Sequence, residues 1–397
     1  MVKILAVNAG SSTLKWKLFA MPEERVIARG LVDNLGLPGT TFTVKYGDGQ
    51  QLVEEEDIQS VDVAVDKLIH ELKHLHIIED YHEIGGVGHR VVAGGETFKA
   101  SSVIGPKELD QIEALSELAP LHNPPEAKGI RAFMQVLPDT PEVGVFDTAY
   151  HTTIPEMNYL YSIPMQYYRD FGLRKYGAHG TSIRYVVTHT AKMLHKPMSE
   201  LNLIVMHMGS GVSVTAVKNG ASYDTSMGYT PVSGVTMSTR SGDVDPSLVA
   251  MLMKKLQLTD PDDVIKILNT ESGVFGISEL SPDMRKVEET RTTRHQSQLA
   301  IDIFVNRMVK YVAGYIAELG HVDGLVFTAG MGEGDGAMRQ RIIDGLRVFG
   351  VRMHEDRNND VRPEDTDLTA DGSTMKVLLL PTDEELMIAR DVMELTK

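Results

Sequence analysis

Cysteine is absent from the 397 residues of the sequence, which excludes disulfide bonds, thiolate-bound metals and cysteine nucleophiles. Long hydrophobic runs are absent as well, since no stretch of about 18 apolar residues is available to span a membrane. The apolar start, residues 3–7, turns polar at Asn8 and is too short for the core of a signal peptide. We therefore predict a cytoplasmic protein with no membrane partner.

Positive charge is scarce, because 39 Lys and Arg residues accompany 55 Asp and Glu residues and give a net charge of −16. Such a surface repels a nucleic-acid backbone and argues against a nucleic-acid partner. The apolar share of 42% and charged share of 24% are typical of a folded protein. The length favours two domains over a single core.

Short apolar runs that end near glycines or polar residues predict buried strands. These runs cover residues 3–7, 143–146, 203–206 and 324–327. Helical periodicity covers residues 61–78 and 298–319, and Asp-Pro pairs at 245–246 and 260–261 indicate two further helix starts. Strands mixed with helices predict an α/β protein.

The chain contains one internal similarity. Residues 4–11 align with residues 203–210, and a β-rich run follows each, at residues 13–19 and 212–217. Each copy predicts a strand, a glycine turn and a second strand. The offset of half a chain suggests two related domains that each offer a hairpin to a shared cleft. Chance similarity between two apolar strands is the alternative.

Three glycine-rich turns, at residues 8–12, 207–211 and 328–332, favour binding of a nucleotide polyphosphate. Glycine lets backbone N–H groups approach an anion closely, although each turn alone is also typical of an ordinary strand end. Neither a P-loop nor a dinucleotide fingerprint is present in the sequence. Hairpin turns, rather than one helix N-terminus, are therefore predicted to bind the phosphates.

Arg90, Asp147, His179 and Arg240 lie among small residues or beside predicted strands. An arginine fork suits an oxyanion, and two of them would hold a carboxylate and a migrating phosphoryl group together. A structural ion pair is the alternative for each arginine. His89 is interpreted as a structural imidazole beside a strand.

The histidines at 70, 74 and 76 are interpreted as surface residues of one predicted helix. Two of them are four residues apart and would bind a metal weakly. No carboxylate or cysteine completes a site there.

Nine motifs in order resemble the acetate kinase family and cover nearly the whole chain. They are VNAGSS (7–12), GHRVV (88–92), APLHNPP (119–125), FDTA (146–149), YGAHGTS (176–182), DTSMG (224–228), TRSGD (239–243), FTAG (327–330) and PTDEE (381–385). The resemblance implies the fold shared with sugar kinases, actin and heat-shock chaperone ATPases. That fold has two related actin-like, ribonuclease H-like α/β domains with the active site in the cleft between them.

The resemblance also implies domain bounds and assembly. Residues 1–149, completed by a C-terminal helix at 385–397, would form the N-terminal domain, and residues 150–384 the nucleotide-binding C-terminal domain. The family is homodimeric, so a homodimer is implied. The implied substrates are acetate and ATP or ADP, with Mg²⁺ as cofactor and Mn²⁺ as an expected substitute.

The resemblance also implies roles for individual residues, at the positions of this sequence that match the family's motifs. Implied catalytic residues are Arg90, Asp147, His179 and Arg240. Implied acetate-binding residues are Arg90, Val92, Leu121, Ala178 and Pro231, of which the last four would line the methyl pocket. Implied nucleotide-binding residues are Lys15, His207, Met208, Gly209, Ser210, Gly211, Asp283, Met284, Arg285, Gly330, Met331, Gly332, Glu333 and Gly334. Asn8 and Glu384 are implied to hold Mg²⁺ through water.

The sequence departs from the family pattern in several places, at Ala93, Ala178, Ile183, Ser210, Ser238 and Gly334. The family commonly has Asn where Ser210 and Gly334 stand, which affects nucleotide contacts. It commonly has Phe where Ala178 stands, beside the acetate methyl group. We therefore expect propionate to be used at an appreciable fraction of the acetate rate, with acetate preferred. A neighbouring side chain that already fills the gap is the alternative.

The expected reaction is a reversible, direct in-line phosphoryl transfer from ATP to acetate, giving acetyl phosphate and ADP. Acetate is already ionised at pH 7, since its pKa is about 4 like that of Asp or Glu, so no general base is needed. Asp147 is therefore interpreted as orienting Mg-bound water or a cationic neighbour. Two alternatives are a propionate or butyrate kinase and a non-catalytic actin-like ATP-binding switch, which would have no carboxylate for the arginines to hold.

Overall fold

The computed structural model describes residues 2–359 and 364–397. Contacts within the chain divide it into two compact units. The first unit comprises Met1–Thr152, Gly180–Ser182 and Asp383–Lys397, and the second comprises Thr153–His179 and Ile183–Thr382.

The strands, in chain order, fall into one sheet in each unit. Those of the first unit are β1 Val2–Ala9, β2 Thr13–Met21, β3 Arg25–Asp33, β4 Thr41–Tyr46, β5 Gln50–Glu55, β6 Ile84–Val91, β7 Ser102–Val103 and β8 Glu142–Phe146. Those of the second unit are β9 Leu203–Met208, β10 Val212–Lys218, β11 Ala221–Thr225, β12 Gly324–Thr328, β13 Thr366–Asp367 and β14 Lys376–Leu379.

The helices cover much of the remaining chain. They are α1 Val61–His74, α2 Pro106–Ala114, α3 Asn123–Val136, α4 Glu156–Tyr159, α5 Met165–Phe171, α6 Gly180–Leu194, α7 Ser247–Leu256, α8 Pro261–Thr270, α9 Gly273–Ser278, α10 Met284–Thr290, α11 His295–Leu319, α12 Ala329–Gly334, α13 Gly336–Gly345, α14 Glu355–Asn359 and α15 Glu384–Leu395. Short 3₁₀ turns lie at Tyr81–Glu83, Leu115–Glu117, Ala149–Thr153, Met198–Glu200 and Arg347–Phe349.

The predicted strands and long helices are present, with some ends shifted. The helix predicted over residues 61–78 ends at His74, because His76 has a left-handed backbone with a φ of 54°. His76 therefore lies outside the helix to which it was assigned. The helix predicted after Asp245 begins one residue later, at Ser247, whose N–H donates to Asp245 Oδ1. The helix predicted after Asp260 begins at Pro261.

The two sheets share one topology, which confirms that the internal similarity reflects two related α/β units. The first sheet contains the order β3-β2-β1-β6-β8 and the second the order β11-β10-β9-β12-β14. In both, an antiparallel hairpin is followed by two strands parallel to its first strand. Chance similarity of two apolar strands does not produce matching strand orders.

The C-terminal helix α15 packs on the sheet of the first unit. A Cβ added at Gly88 of β6 would lie 2.3 Å from Ile388 Cγ2, and one at Gly86 would lie 2.5 Å from Val392 Cγ1. Glycine at these two positions therefore lets the helix approach the strand backbone closely. This contact brings the acidic start of α15 near the end of β6.

Each unit has its own apolar core. In the first unit, strands β1, β2 and β6 pack against α1 and α3 around Leu5, Trp16 and Phe133. In the second unit, β9, β10 and β12 pack against the long helix α11 around Met206, Val214 and Phe304. Close packing of each sheet against its helices fixes the positions of the strand ends. The polar residues described below lie at these strand ends.

Candidate active site

Arg90 and Asp147 form a buried ion pair in the first unit. Arg90 lies near the end of β6, and Asp147 directly follows the parallel neighbour β8, so both side chains lie at one sheet edge. Asp147 Oδ2 accepts hydrogen bonds from Arg90 Nε at 3.0 Å and from Arg90 Nη2 at 2.6 Å. Burial disfavours the guanidinium charge, but Asp147 and Glu384 outweigh it and hold the pKa of Arg90 above its usual range. Arg90 is therefore a fixed cation.

Glu384 stands at the start of α15, 3.8 Å from Arg90 Nε. Burial raises the pKa of its carboxyl group, Arg90 opposes that rise, and the negative charge of Asp147 adds to it. A carboxyl group in this position gains stabilisation when a further cation arrives, because the cation favours the ionised form.

Two lysines of β2 pair with the same end of α15. Lys15 Nζ lies 2.5 Å from Glu385 Oε1, while Lys17 Nζ lies 2.9 Å from Asp383 Oδ1 and 3.3 Å from Glu385 Oε2. Burial raises the pKa of Glu385, but Lys17 and Lys15 outweigh it and leave that pKa below its usual value. The side chain of Lys15 is 55% exposed and that of Lys17 is 17% exposed, so Lys15 is the more accessible of the two.

The predicted metal residues Asn8 and Glu384 both belong to the first unit, at the end of β1 and the start of α15. Among residues 2–359 and 364–397, no group of three or more His, Asp or Glu side chains is placed to bind an ion. Mg²⁺ usually keeps several waters and takes one or two carboxylates together with substrate phosphates. Asp147 Oδ1 is buried and has no hydrogen-bond partner. These oxygen donors fit a hydrated Mg²⁺ that arrives with the nucleotide.

The predicted methyl-pocket residues belong to different units. Val92 is buried in a small cluster with Ala93 and Ala119 in the first unit, whereas Leu121, also of the first unit, is 58% exposed. In the second unit, Ala178 is buried in the apolar core. Pro231 is half-buried, and its carbonyl oxygen lies 3.4 Å from Arg240 Nη1.

The second unit contains a cavity of about 860 Å³ at the turn between β9 and β10. That volume lies within the range of small-molecule sites. The lining residues are Gly209, Ser210, Gly211, Ser238, Thr239, Arg240, Pro282, Asp283, Met284, Arg285, Gly330, Met331, Gly334 and Asp335. The cavity therefore combines two of the predicted phosphate turns with Arg240.

Arg240 lies on an irregular loop that backbone hydrogen bonds hold in place. Met237 N–H donates to Arg240 O at 3.1 Å, and Ser238 N–H donates to Ser210 O at 3.2 Å, which ties the loop to the β9–β10 turn. A Cβ at Gly273 would lie 2.2 Å from Met237 O and 2.6 Å from Arg240 O. The absence of a side chain there lets α9 support the loop, so the position of Arg240 is set by its backbone.

His179 lies beside the same turn. It has a left-handed backbone, with a φ of 64°, just before α6. Its Nδ1 is hydrogen-bonded to Ser213 Oγ at 2.9 Å, and its ring stacks on His207 with centroids 4.0 Å apart. A Cβ at Gly211 would lie 3.3 Å from His179 Nε2 and 3.5 Å from Arg240 Nη1. Glycine at the turn therefore leaves space between these two donors.

The cavity contains many of the predicted nucleotide residues but not all of them. Absent from its lining are His207, Met208, Gly332, Glu333 and Lys15. Met208 is fully buried in the second core, so its side chain is not open to a ligand. Glu333 Oε1 accepts the Thr382 N–H at 3.1 Å.

Sequence reasoning missed several residues of these sites. In the second unit they are Ser213, Pro282 and Asp335. In the first unit they are Asn123 and Glu126, in the first turn of α3, which bind the backbone just after Arg90. Their spacing of three places them on one helix face, but the motif at 119–125 contains Asn123 and not Glu126.

Comparison with known proteins gives a consistent result. The family model described as "Acetokinase family" matches residues 3–390. The chain is 55% identical over 395 residues to "Acetate kinase 1" of Latilactobacillus sakei subsp. sakei, covering 100% of both chains. The crystal structure of an acetate kinase from Porphyromonas gingivalis is similar with a TM-score of 0.93 and 39% identity over 100% of both chains. A propionate kinase from Francisella tularensis has the same TM-score, 0.93, and 37% identity, again over 100% of both chains. Among the described residues, no helix is long and apolar enough to cross a membrane.

Proposed function

The chain belongs to the acetokinase family, and we propose that it catalyses reversible phosphoryl transfer between ATP and acetate. The observation that carries this proposal is the full-length identity of 55% to a curated acetate kinase. The arrangement of charged groups in each unit supports it. A non-catalytic ATP-binding switch would have no use for the fixed cation at Arg90.

Acetate needs positioning rather than activation. Its carboxylate is already ionised at pH 7, so no residue has to remove a proton from it. The fork of Arg90 suits a carboxylate, and Asp147 holds that fork by two hydrogen bonds. We assign Asp147 to orienting Arg90 and hydrated metal, rather than to general-base catalysis.

The transferring phosphoryl group develops charge on its equatorial oxygens, so fixed donors aimed at them stabilise the transition state. Arg240 and His179 face the glycine turn at 211 and are assigned this role. In direct in-line transfer, an acetate oxygen attacks the γ-phosphorus opposite the β,γ-bridging oxygen, the bond from phosphorus to that bridging oxygen breaks, and ADP leaves with its electron pair. No covalent enzyme intermediate is needed.

Mg²⁺ is the proposed cofactor, held through water by Asn8 and Glu384, with Asp147 Oδ1 as a further acceptor. When bound, it would neutralise the β- and γ-phosphate oxygens and so reduce their repulsion of the acetate anion. Lys15 is assigned a phosphate contact, for which it would have to leave Glu385.

A hydroxylamine trap tests the reaction. The protein is incubated with ATP, Mg²⁺ and acetate, propionate or butyrate, and hydroxamate is measured with and without excess EDTA. We expect acetyl hydroxamate to form fastest and EDTA to abolish it. ATP hydrolysis without any hydroxamate would favour the ATP-binding switch, and faster product from propionate would favour the propionate kinase.

Assembly and location are further parts of the proposal. We expect a cytoplasmic homodimer, as the family resemblance implies. Light scattering after size-exclusion chromatography should give twice the mass of one chain. A mass of one chain at micromolar concentration would contradict the dimer without affecting the proposed reaction.

A further inference from the structure

Glu126 is a buried carboxyl group beside the proposed acetate-binding arginine, and no step above uses it. It lies in the first turn of α3 and is 3% exposed. Its Oε2 accepts the Val92 N–H at 2.9 Å. Val92 is two residues beyond Arg90 and directly follows β6.

Asn123, the first residue of α3, completes this attachment. Its Oδ1 accepts the Ala93 N–H at 3.0 Å, and its Nδ2 donates to Ala93 O at 3.0 Å. The start of α3 therefore holds the backbone of residues 92–93 by three hydrogen bonds. Glu126 is the only titratable member of this attachment, since an asparagine amide does not ionise.

The charged groups that act on Glu126 come from the neighbouring strands. Burial raises the pKa of the Glu126 carboxyl to about 8, the positive charge of Arg90 opposes the rise, and Asp147 adds to it. Asp147 and Glu384 already offset the charge of Arg90. An ionised Glu126 would add one more negative charge where an anionic substrate has to bind.

We propose that Glu126 is a positioning residue that must carry a proton for acetate to bind well, so that acetate capture takes up a proton whenever Glu126 is ionised. This inference rests on the proposed function, with Arg90 as the acetate ligand. The protonated carboxyl still accepts the Val92 N–H through its carbonyl oxygen and adds no charge. The ionised carboxylate keeps the hydrogen bond but repels the acetate carboxylate.

The sign of the pH dependence follows from linkage. A bound anion favours the protonated form of Glu126, so acetate affinity is highest below the pKa of Glu126 and falls as pH rises through it. At constant saturating Mg-ATP, kcat/KM for acetate should therefore fall between pH 7.5 and 9, by at most about tenfold for each pH unit. The value of kcat/KM for ATP at saturating acetate should fall much less. A flat acetate profile in the wild type would overturn the proposal.

Glu126→Gln removes the charge but keeps an oxygen that accepts the Val92 N–H. Its acetate kcat/KM should stay level between pH 7.5 and 9, where that of the wild type falls. An unchanged fall in this variant would assign the titration to another group and overturn the proposal. Loss of turnover at all pH values in a folded variant would show a direct role of the carboxylate and would also overturn it.

Glu142→Gln is the matched control, because Glu142 is another buried glutamate of the first unit, paired with His89. Burial raises its pKa too, although His89 opposes the rise. A carboxyl whose pKa is raised by folding makes the protein less stable as pH rises toward the folded pKa. Both variants should therefore lessen the fall of Tm as pH rises above the ordinary pKa of a glutamate, but only Glu126→Gln should flatten the acetate profile.

Calorimetry of the wild type keeps the proposal testable if the variant fails to fold. Acetate is titrated into the protein with Mg-ADP at pH 8, in two buffers of different ionisation enthalpy. We expect uptake of a fraction of a proton, and zero uptake would overturn the proposal. The absence of any acetyl phosphate formation at any pH would instead refute the proposed function.

Discussion

The hairpins β1–β2 and β9–β10 occupy equivalent places in their sheets and differ in the side chains that they carry. The first turns between Ala9 and Leu14, and the second between Met208 and Val212. Strand β2 presents Lys15 and Lys17 to the acids of α15. Strand β10 instead carries buried hydroxyl groups. Ser213 is hydrogen-bonded to His179, and Thr215 is hydrogen-bonded to Thr225.

This difference shows that topology sets where a turn lies, while side chains decide what the turn can bind. The first unit surrounds its turn with paired charges, including the Arg90–Asp147 pair. The second unit leaves its turn at the edge of a cavity of about 860 Å³. We therefore expect variants at the charged pairs of the first unit to alter acetate and metal dependence, and loss of a donor beside the cavity of the second unit to alter turnover.

Arg240→Ala in the second unit should have the largest effect. Loss of one preorganised donor to the transition state costs roughly 10²–10³ in kcat, and the KM values should change much less. The fold should persist, because the loop is held by backbone hydrogen bonds at Met237 and Ser238. Arg291→Ala, which removes an exposed arginine paired with Glu288, is the control. Equal turnover in Arg240→Ala and wild type would refute the assignment.

Glu384→Ala should raise the Mg²⁺ concentration needed for half-maximal activity by roughly 10–100-fold, as expected for a group that orients metal-bound water. Titration of Mg²⁺ at fixed ATP measures this. Glu394→Ala, which changes an exposed residue of the same helix, should leave the titration unchanged. If both variants titrate like the wild type, Glu384 does not serve the metal.

Arg90→Lys should raise the KM for acetate by about tenfold or more, because lysine lacks the fork that holds a carboxylate by two hydrogen bonds. Lysine is preferable to alanine here, since removing the cation would leave Asp147 buried and unpaired, at a cost of roughly 3–5 kcal/mol. Arg131→Lys, in an exposed pair with Glu113, is the control. A defect confined to the KM for ATP would assign Arg90 to the nucleotide.

Ala178→Phe should have the smallest effect, about a fourfold fall in the propionate-to-acetate ratio of kcat/KM. A fourfold change corresponds to the free energy gained by burying one methylene group, about 0.8 kcal/mol. Ala178 is 2% exposed in the second core, so a larger side chain there also tests whether space exists. Overpacking would cost roughly 1–3 kcal/mol of stability, which urea unfolding measures. An unchanged ratio in a folded variant would mean that Ala178 carries no specificity.

Sequence reasoning predicted best the glycine turns that follow buried strands. Gly209, Ser210 and Gly211 were predicted from an apolar run followed by a glycine turn, and they line the cavity. Glu126 was missed because a glutamate in the first turn of a helix is normally interpreted as a solvated residue that interacts favourably with the helix dipole. Only its burial beneath the segment after β6 distinguishes it.

The sequence by itself determined the repeated strand–turn–strand units, the family and the arginines, because these are local patterns of a few residues. Tertiary structure decided which charges neutralise one another. Arg90 and Asp147 are 57 residues apart, and Lys17 and Asp383 are 366 residues apart. Pairing over such distances depends on which strands become neighbours and where α15 packs.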